Sequence, residues 1–161
     1  MATIHMTITT HSESETKKLA AEFARRLHGG EIIFLEGDLG SGKTTFVRGV
    51  AEAFGYTDLV RSPTFTIVNR YFIDHPILKK ILHVDLYRLK DTSELTALAL
   101  EEELKRPDTV AFIEWSDTMD TAQTPDARIQ FQVVSQTDRI MDFIKRPLQK
   151  CYLSLRGRID R

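Results

Sequence analysis

The sequence predicts an α/β fold: a mixed, mostly parallel central sheet with helices on both faces and antiparallel strands near the C-terminal end. Three observations predict it. A continuous apolar run, Ile32 to Leu35, leads through a glycine-rich turn into an amphipathic segment, as a buried parallel strand feeding a helix does. Helical and strand patterns alternate early in the chain. Two β-rich segments late in the chain, Arg128 to Val134 and Arg139 to Ile144, are separated only by the polar turn Ser135 to Asp138, the pattern of a hairpin.

Thr3 to Thr9 alternate weakly with β-branched residues and read as a short edge strand. Ser12-x-x-Glu15 is a capping box. After it Leu19, Phe23 and Leu27, with Ala20 and Ala24, share one helical face, and Gly29-Gly30 marks the end of that helix. The Ile32 to Leu35 strand comes next, then a helix from about Thr44 to Phe54 closed by Gly55. Further strands are predicted at Thr66 to Phe72, Ile81 to Leu86 and Val110 to Glu114. Between the last two, Thr92 or Ser93 near Glu94 opens a helix carrying Leu95, Leu98, Ala99 and Leu104, stopped before Pro107.

At 161 residues the chain reads as a single domain over 1–161, with no linker, repeat or low-complexity stretch. Its 42% apolar and 28% charged residues are ordinary for a soluble globular protein. No apolar run approaches the roughly 20 residues that span a bilayer, and the first residues lack a secretory pattern. Cys151 is the only cysteine, so an internal disulfide and a thiolate metal cluster are both excluded. A cytoplasmic location is the expectation. Net charge is −1, so no global field draws the chain to nucleic acid. Residues 145–161 nevertheless carry six basic groups against the single acid Asp160. This tail reads as a solvated end, with a docking strip for a partner or RNA as the alternative.

The chemistry concentrates in Gly37-Asp38-Leu39-Gly40-Ser41-Gly42-Lys43-Thr44. A phosphate chain needs many donors aimed at one point. Glycines let successive backbone amides turn inward, and the positive end of the following helix adds to them. Lys43 supplies a point charge for β- and γ-phosphates, and the Thr44 hydroxyl suits Mg²⁺. Strand, glycine loop and helix are the context this motif requires, so the fold class sharpens to one like that of the P-loop NTPases. Neither Asp-x-x-Gly nor Asn/Thr-Lys-x-Asp follows the loop, which favours ATP over GTP.

Such a site also needs a carboxylate at the end of a neighbouring buried strand. Asp85 and Glu114 both qualify: one meets the metal and the other orients the attacking water. Ser62-Pro63-Thr64-Phe65 lies where a nucleotide-sensing segment would, with two hydroxyls able to approach the γ-phosphate. His83 alternates with apolar neighbours, the pattern of a satisfied core histidine, with a catalytic base as the alternative. Trp115 reads as a lid over the site rather than as core.

Together, Gly37 to Thr45, Arg48-Gly49, Ser62-Pro-Thr-Phe65, His83-Val-Asp-Leu-Tyr-Arg88 and Glu114-Trp115 resemble one family closely: TsaE, formerly YjeE, the bacterial ATPase of tRNA threonylcarbamoyladenosine biosynthesis. The motifs follow the family's order over about residues 10–117. The resemblance implies ATP hydrolysis that resets a complex with TsaD and TsaB, slow in the isolated protein, with tRNA contacted indirectly. It implies that Lys43 binds phosphate, Thr44 and Glu114 hold magnesium, Asp85 serves hydrolysis, Thr64 belongs to the switch segment and Trp115 lies near the nucleotide. The nucleotide site it implies comprises Gly37, Asp38, Gly40 to Thr45, Ser62, Thr64 and Trp115. Ser116-Asp117 depart from the family's usual continuation, and beyond residue 120 the resemblance is weak. A small-molecule kinase and a non-hydrolysing, nucleotide-gated binding module are the competing readings. The scarcity of arginines between Arg106 and Arg139 counts against the kinase, which needs a charged lid.

Overall fold

The structure, a computed structural model, describes residues 3–89, 94, 99–115 and 124–145. Seven strands form one sheet: β1 (Ile4–Thr10), β2 (Ile32–Glu36), β3 (Val68–Phe72), β4 (Lys80–Asp85), β5 (Thr109–Glu114), β6 (Ala127–Val133) and β7 (Arg139–Lys145), in the order β1-β7-β6-β2-β5-β4-β3. The middle four strands, β6-β2-β5-β4, are mutually parallel. Antiparallel strands complete both edges, β3 on one side and the β7–β1 pair on the other. The mixed, mostly parallel sheet is therefore as expected, with antiparallel pairing at both ends rather than only the C-terminal one. The β2 run is buried from Ile32 to Leu35, because β2 lies at the centre of the sheet and is covered on both faces.

Helices α1 (Glu13–Ala24) and α2 (Lys43–Ala53) cover one face. Ser12 caps α1 as predicted, its Oγ accepting the Glu15 amide at 3.1 Å, while Glu15 Oε2 accepts the His11 amide at 2.8 Å. The helix ends at Ala24, a turn before the expected glycines. Arg26 and Leu27 instead donate to the Phe23 and Ala24 carbonyls in tighter turns. Gly29 is needed for a different reason: at φ +93°, a Cβ there would meet the Pro107 carbonyl oxygen at 2.1 Å. α2 stops as read. Gly55 takes φ +85°, and the Tyr56 and Gly55 amides close on the Ala51 and Glu52 carbonyls, each at 3.0 Å, a Schellman cap.

Leu19, Phe23, Phe46, Val47, Phe112, Phe131 and Phe143 meet between these helices and the sheet. Phe46, wholly buried in the first turn of α2, sits among four other phenylalanines, its centroid 5.4 Å from Phe23 and 5.8 Å from Phe131. The opposite face buries Ile32, Phe34, Leu82, Val84, Ala111 and Ile113 under Leu100 and Leu104 of α3 (Leu100–Leu104). α3 corrects the sequence reading: Ala99 lies at φ 54°, so the helix does not run through it. The proposed cap at Thr92 or Ser93, and Leu95 and Leu98, lie outside the described residues. So does residue 146 onward. Lys145 belongs to no solvated tail; it is buried at the end of β7, in register with Ile4 and Ala127. The predicted strand start at Thr66 also moves, to Val68, because Thr66 and Ile67 both donate to the Pro63 carbonyl in a turn that puts Ile67 at φ 64°. No helix of the described residues is long and apolar enough to cross a membrane.

Candidate functional site

The sheet order decides what surrounds the glycine loop. The loop leaves β2, so the ends of β5 and β6 flank it. Gly37, Gly40 and Gly42 take φ values of +140°, +77° and +108°, a succession open to glycine and strained for other residues. At Gly37 the requirement is also steric, since a Cβ would meet the Phe131 carbonyl oxygen at 2.6 Å. The first amide of α2 to enter the helical ladder is that of Phe46, on the Gly42 carbonyl at 2.9 Å. Those of Lys43, Thr44 and Thr45 lie ahead of it, at an end with no side-chain cap and no acid in its first turn. It is a positive end with its donors uncommitted to the helix.

Lys43 is 5% exposed. Its Nζ donates to the Gly37 carbonyl at 2.6 Å and the Asp38 carbonyl at 3.0 Å, and stands 3.7 Å from Glu114 Oε2. Glu114 comes from the end of β5, all six residues of which are buried. Its other oxygen, Oε1, lies 2.7 Å from His83 Nε2. The buried His83 is thus only half satisfied, contrary to the sequence expectation, because Nδ1 has no hydrogen-bond partner among the described residues. Asp85 pairs with Glu114 across the parallel β4–β5 register, and its Oδ1 accepts the Tyr87 amide at 2.9 Å. Trp115, at φ 58°, packs on Tyr87 with centroids 5.0 Å apart, its ring 5.8 Å from Lys43 Nζ. It stands beside the lysine and outside the core. Ser62 and Thr64 share a hydrogen bond of 2.8 Å between their hydroxyls.

These groups surround a cavity of about 410 Å³. Of the residues singled out from sequence, Gly40, Gly42, Lys43, Thr44, Thr45, Ser62 and Glu114 line it, as does Leu39 of the glycine loop; Gly37, Asp38, Ser41, Thr64, Asp85 and Trp115 do not. Sequence reasoning missed the rest of the wall: Glu13 and Thr16 from the start of α1, and Gln136, Thr137 and Arg139 from the β6–β7 hairpin. Arg139 ties that hairpin together, with Nη1 donating to the Ser135 and Asp138 carbonyls at 2.9 Å and Nη2 3.5 Å from the Gly40 carbonyl. The His11 imidazole beside Asp138 holds that carboxyl below its usual range.

The donor set fits a magnesium-bound triphosphate. Ser41 Oγ is a buried hydroxyl of the loop with no hydrogen-bond partner among the described residues, and Thr44 and Glu114 bring one oxygen group each to the cavity. No cluster of three or more metal-ligating side chains occurs among the described residues. Magnesium bound beside phosphates takes only one or two protein groups and completes its shell with phosphate and water.

Parallel central strands, a glycine loop and a helix N-terminus facing a buried lysine–glutamate pair define an α/β protein of the strand–glycine loop–helix class. A sequence profile described as "Threonylcarbamoyl adenosine biosynthesis protein TsaE" matches residues 10–143. The "tRNA threonylcarbamoyladenosine biosynthesis protein TsaE" of Bacillus subtilis is 38% identical over 124 residues, 77% of this chain and 74% of the relative. That of Aquifex aeolicus is 51% identical over 82 residues, 50% of this chain and 59% of the relative. The crystal structure of Bacillus subtilis YdiB superposes with a TM-score of 0.68 at 28% identity, covering 90% of this chain and 88% of that one. This chain belongs to the TsaE family.

Proposed function

We propose that this chain binds and hydrolyses Mg·ATP, and that hydrolysis drives the cycling of the complex that adds threonylcarbamoyl to the adenosine beside the tRNA anticodon. The observation that carries the reading is the convergence of Lys43, Thr44, Thr45 and Glu114 on one cavity beneath an open glycine loop. The relatives' names, which place those proteins in threonylcarbamoyladenosine biosynthesis, support the pathway. The partners are TsaD and TsaB, on the family resemblance, in the cytoplasm, with tRNA reached through them.

The amides ahead of the helical ladder bind the phosphates. Lys43 leaves the Gly37 and Asp38 carbonyls for the β- and γ-phosphates, exchanging neutral acceptors for charged ones. Thr44 and Glu114 would hold magnesium, which when bound neutralises charge on the phosphate oxygens. Asp85, on the adjoining strand end, orients the water. Ser62 and Thr64 read the γ-phosphate by exchanging their mutual hydrogen bond for contacts with it.

Calorimetry and single-turnover phosphate release, with and without TsaD and TsaB, test the reading. Wild type binds Mg·ATP and releases phosphate faster with the partners; Lys43→Ala loses binding. Glu114→Ala and Asp85→Ala lose turnover with a smaller loss of affinity. Wild-type hydrolysis by both carboxylate variants would overturn their assignments, and no release under any condition would leave a nucleotide-gated module instead.

A further inference from the structure

His83 is a costly residue for its place. It lies in the middle of β4 between Leu82 and Val84, is 0% exposed, and faces the side of the sheet that α1 and α2 cover. One ring nitrogen has no partner among the described residues, and a buried polar atom left unpaired costs free energy that an apolar side chain avoids. A leucine or valine would simply continue the run Ile81 to Val84. The other nitrogen makes a single hydrogen bond, to Glu114. A carboxylate has no hydrogen to give, so Nε2 is the donor.

Glu114 needs that donor. Among the described residues its side chain has two partners: His83 at 2.7 Å, and Lys43 at 3.7 Å. The second is an ion pair beyond hydrogen-bonding distance. Lys43 is also the residue that leaves for the phosphates under the function proposed above, on which this inference rests. Once it leaves, His83 is the carboxylate's one hydrogen-bonded anchor among the described residues. Because the bond is made to Oε1, the oxygen left for other partners is Oε2, the one 3.7 Å from Lys43 Nζ; Lys43 and Glu114 both line the cavity.

We propose that His83 is a positioning residue: it grips one oxygen of Glu114 from inside the sheet so that the other is presented to the cation. It touches neither nucleotide nor metal, and acts entirely through the carboxylate. Groups in this relation to a metal ligand fix its orientation.

The test compares ATP affinity in magnesium with that in EDTA, by calorimetry on the full chain, for wild type, His83→Leu, His83→Gln and His83→Asn. Glutamine sets its amide donor near the place of Nε2; asparagine falls short. Magnesium enhancement of affinity is expected to drop roughly ten- to a hundredfold in His83→Leu, the loss usual for such partners. The EDTA affinity stays within about twofold, and His83→Gln restores most of the enhancement. In a Glu114→Gln background, His83→Leu has no further effect. An enhancement of wild-type size in His83→Leu would overturn the proposal, as would an equal loss with and without magnesium. If His83→Leu does not fold, glutamine against asparagine decides: equal enhancement in the two refutes it. An unchanged enhancement in Glu114→Gln alone would instead remove the magnesium role beneath it.

Discussion

Replacing Gly37 with alanine separates two costs that glycine loops combine. The new Cβ would sit 2.6 Å from the Phe131 carbonyl oxygen and 2.9 Å from Ser41 Oγ, at φ +140°. The first of these atoms is backbone of β6, in a strand paired on both sides, so it has little room to retreat. Forcing an extra carbon into such packing costs about 1–3 kcal/mol, and the backbone strain adds about 1–3 kcal/mol more. Gly40 is the control. It is at φ +77°, and a Cβ added there would meet no atom of the described residues within 4 Å, so only the left-handed penalty of about 1–2 kcal/mol applies. At about 2–4 °C per kcal/mol for a chain of this size, Gly37→Ala should melt roughly 5–20 °C below wild type and Gly40→Ala no more than roughly 8 °C below. Thermal unfolding followed by circular dichroism measures both. Melting temperatures that coincide, or a Gly40→Ala variant less stable than Gly37→Ala, would refute the claim that contact with β6 dominates at the first glycine.

Glu103 joins three elements, accepting from Arg70 of β3 at 2.6 Å and Lys80 of β4 at 2.7 Å, and the hydrogen-bonded Arg70 guanidinium holds its carboxyl below the usual range. A depressed carboxyl contributes stability above its unfolded pKa and loses it as pH falls through the folded one. Glu103→Gln should therefore cost about 1 kcal/mol at neutral pH, with the difference from wild type closing in acid; urea titrations at pH 7 and at successively lower pH check the sign. At the hairpin, Gln136 and Thr137 line the end of the cavity nearer β6, away from Glu114. Under the proposed function, with the nucleoside placed toward that end, Gln136→Ala and Thr137→Ala should weaken ATP several-fold while leaving inorganic tripolyphosphate untouched; equal losses for both ligands by competition binding would contradict this placement.

The legible parts of the fold are those written in short-range patterns. The Ile32 to Leu35 run, the Ser12 cap and the Gly55 stop each depend on neighbours a few residues away, and each appears where expected. The end of α1 departs from its pattern because Gly29 answers to Pro107, not to the helix before it. The site divides along the same line. Lys43 and Thr44 announce themselves within eight residues, whereas Arg139 meets Gly40 from 99 positions away, and nothing in Ser135 to Arg139 marks it beyond a turn. Between Asp85 and Glu114, the sequence offers two strand ends, of which Glu114 closes the more uniformly apolar strand. Register makes them neighbours, but only Glu114 lines the cavity.

The five-phenylalanine hub behind the glycine loop has a mechanical consequence. Phe46 occupies the first turn of α2 and is braced by Phe23, Phe112, Phe131 and Phe143, an anvil drawn from α1 and three strands. Interiors packed this closely yield little. A load applied at the loop would meet this packing from behind, whereas Leu39 on the loop itself is 84% exposed. Displacement of the loop would therefore be taken up on its exposed side, with the hub behind it held in place.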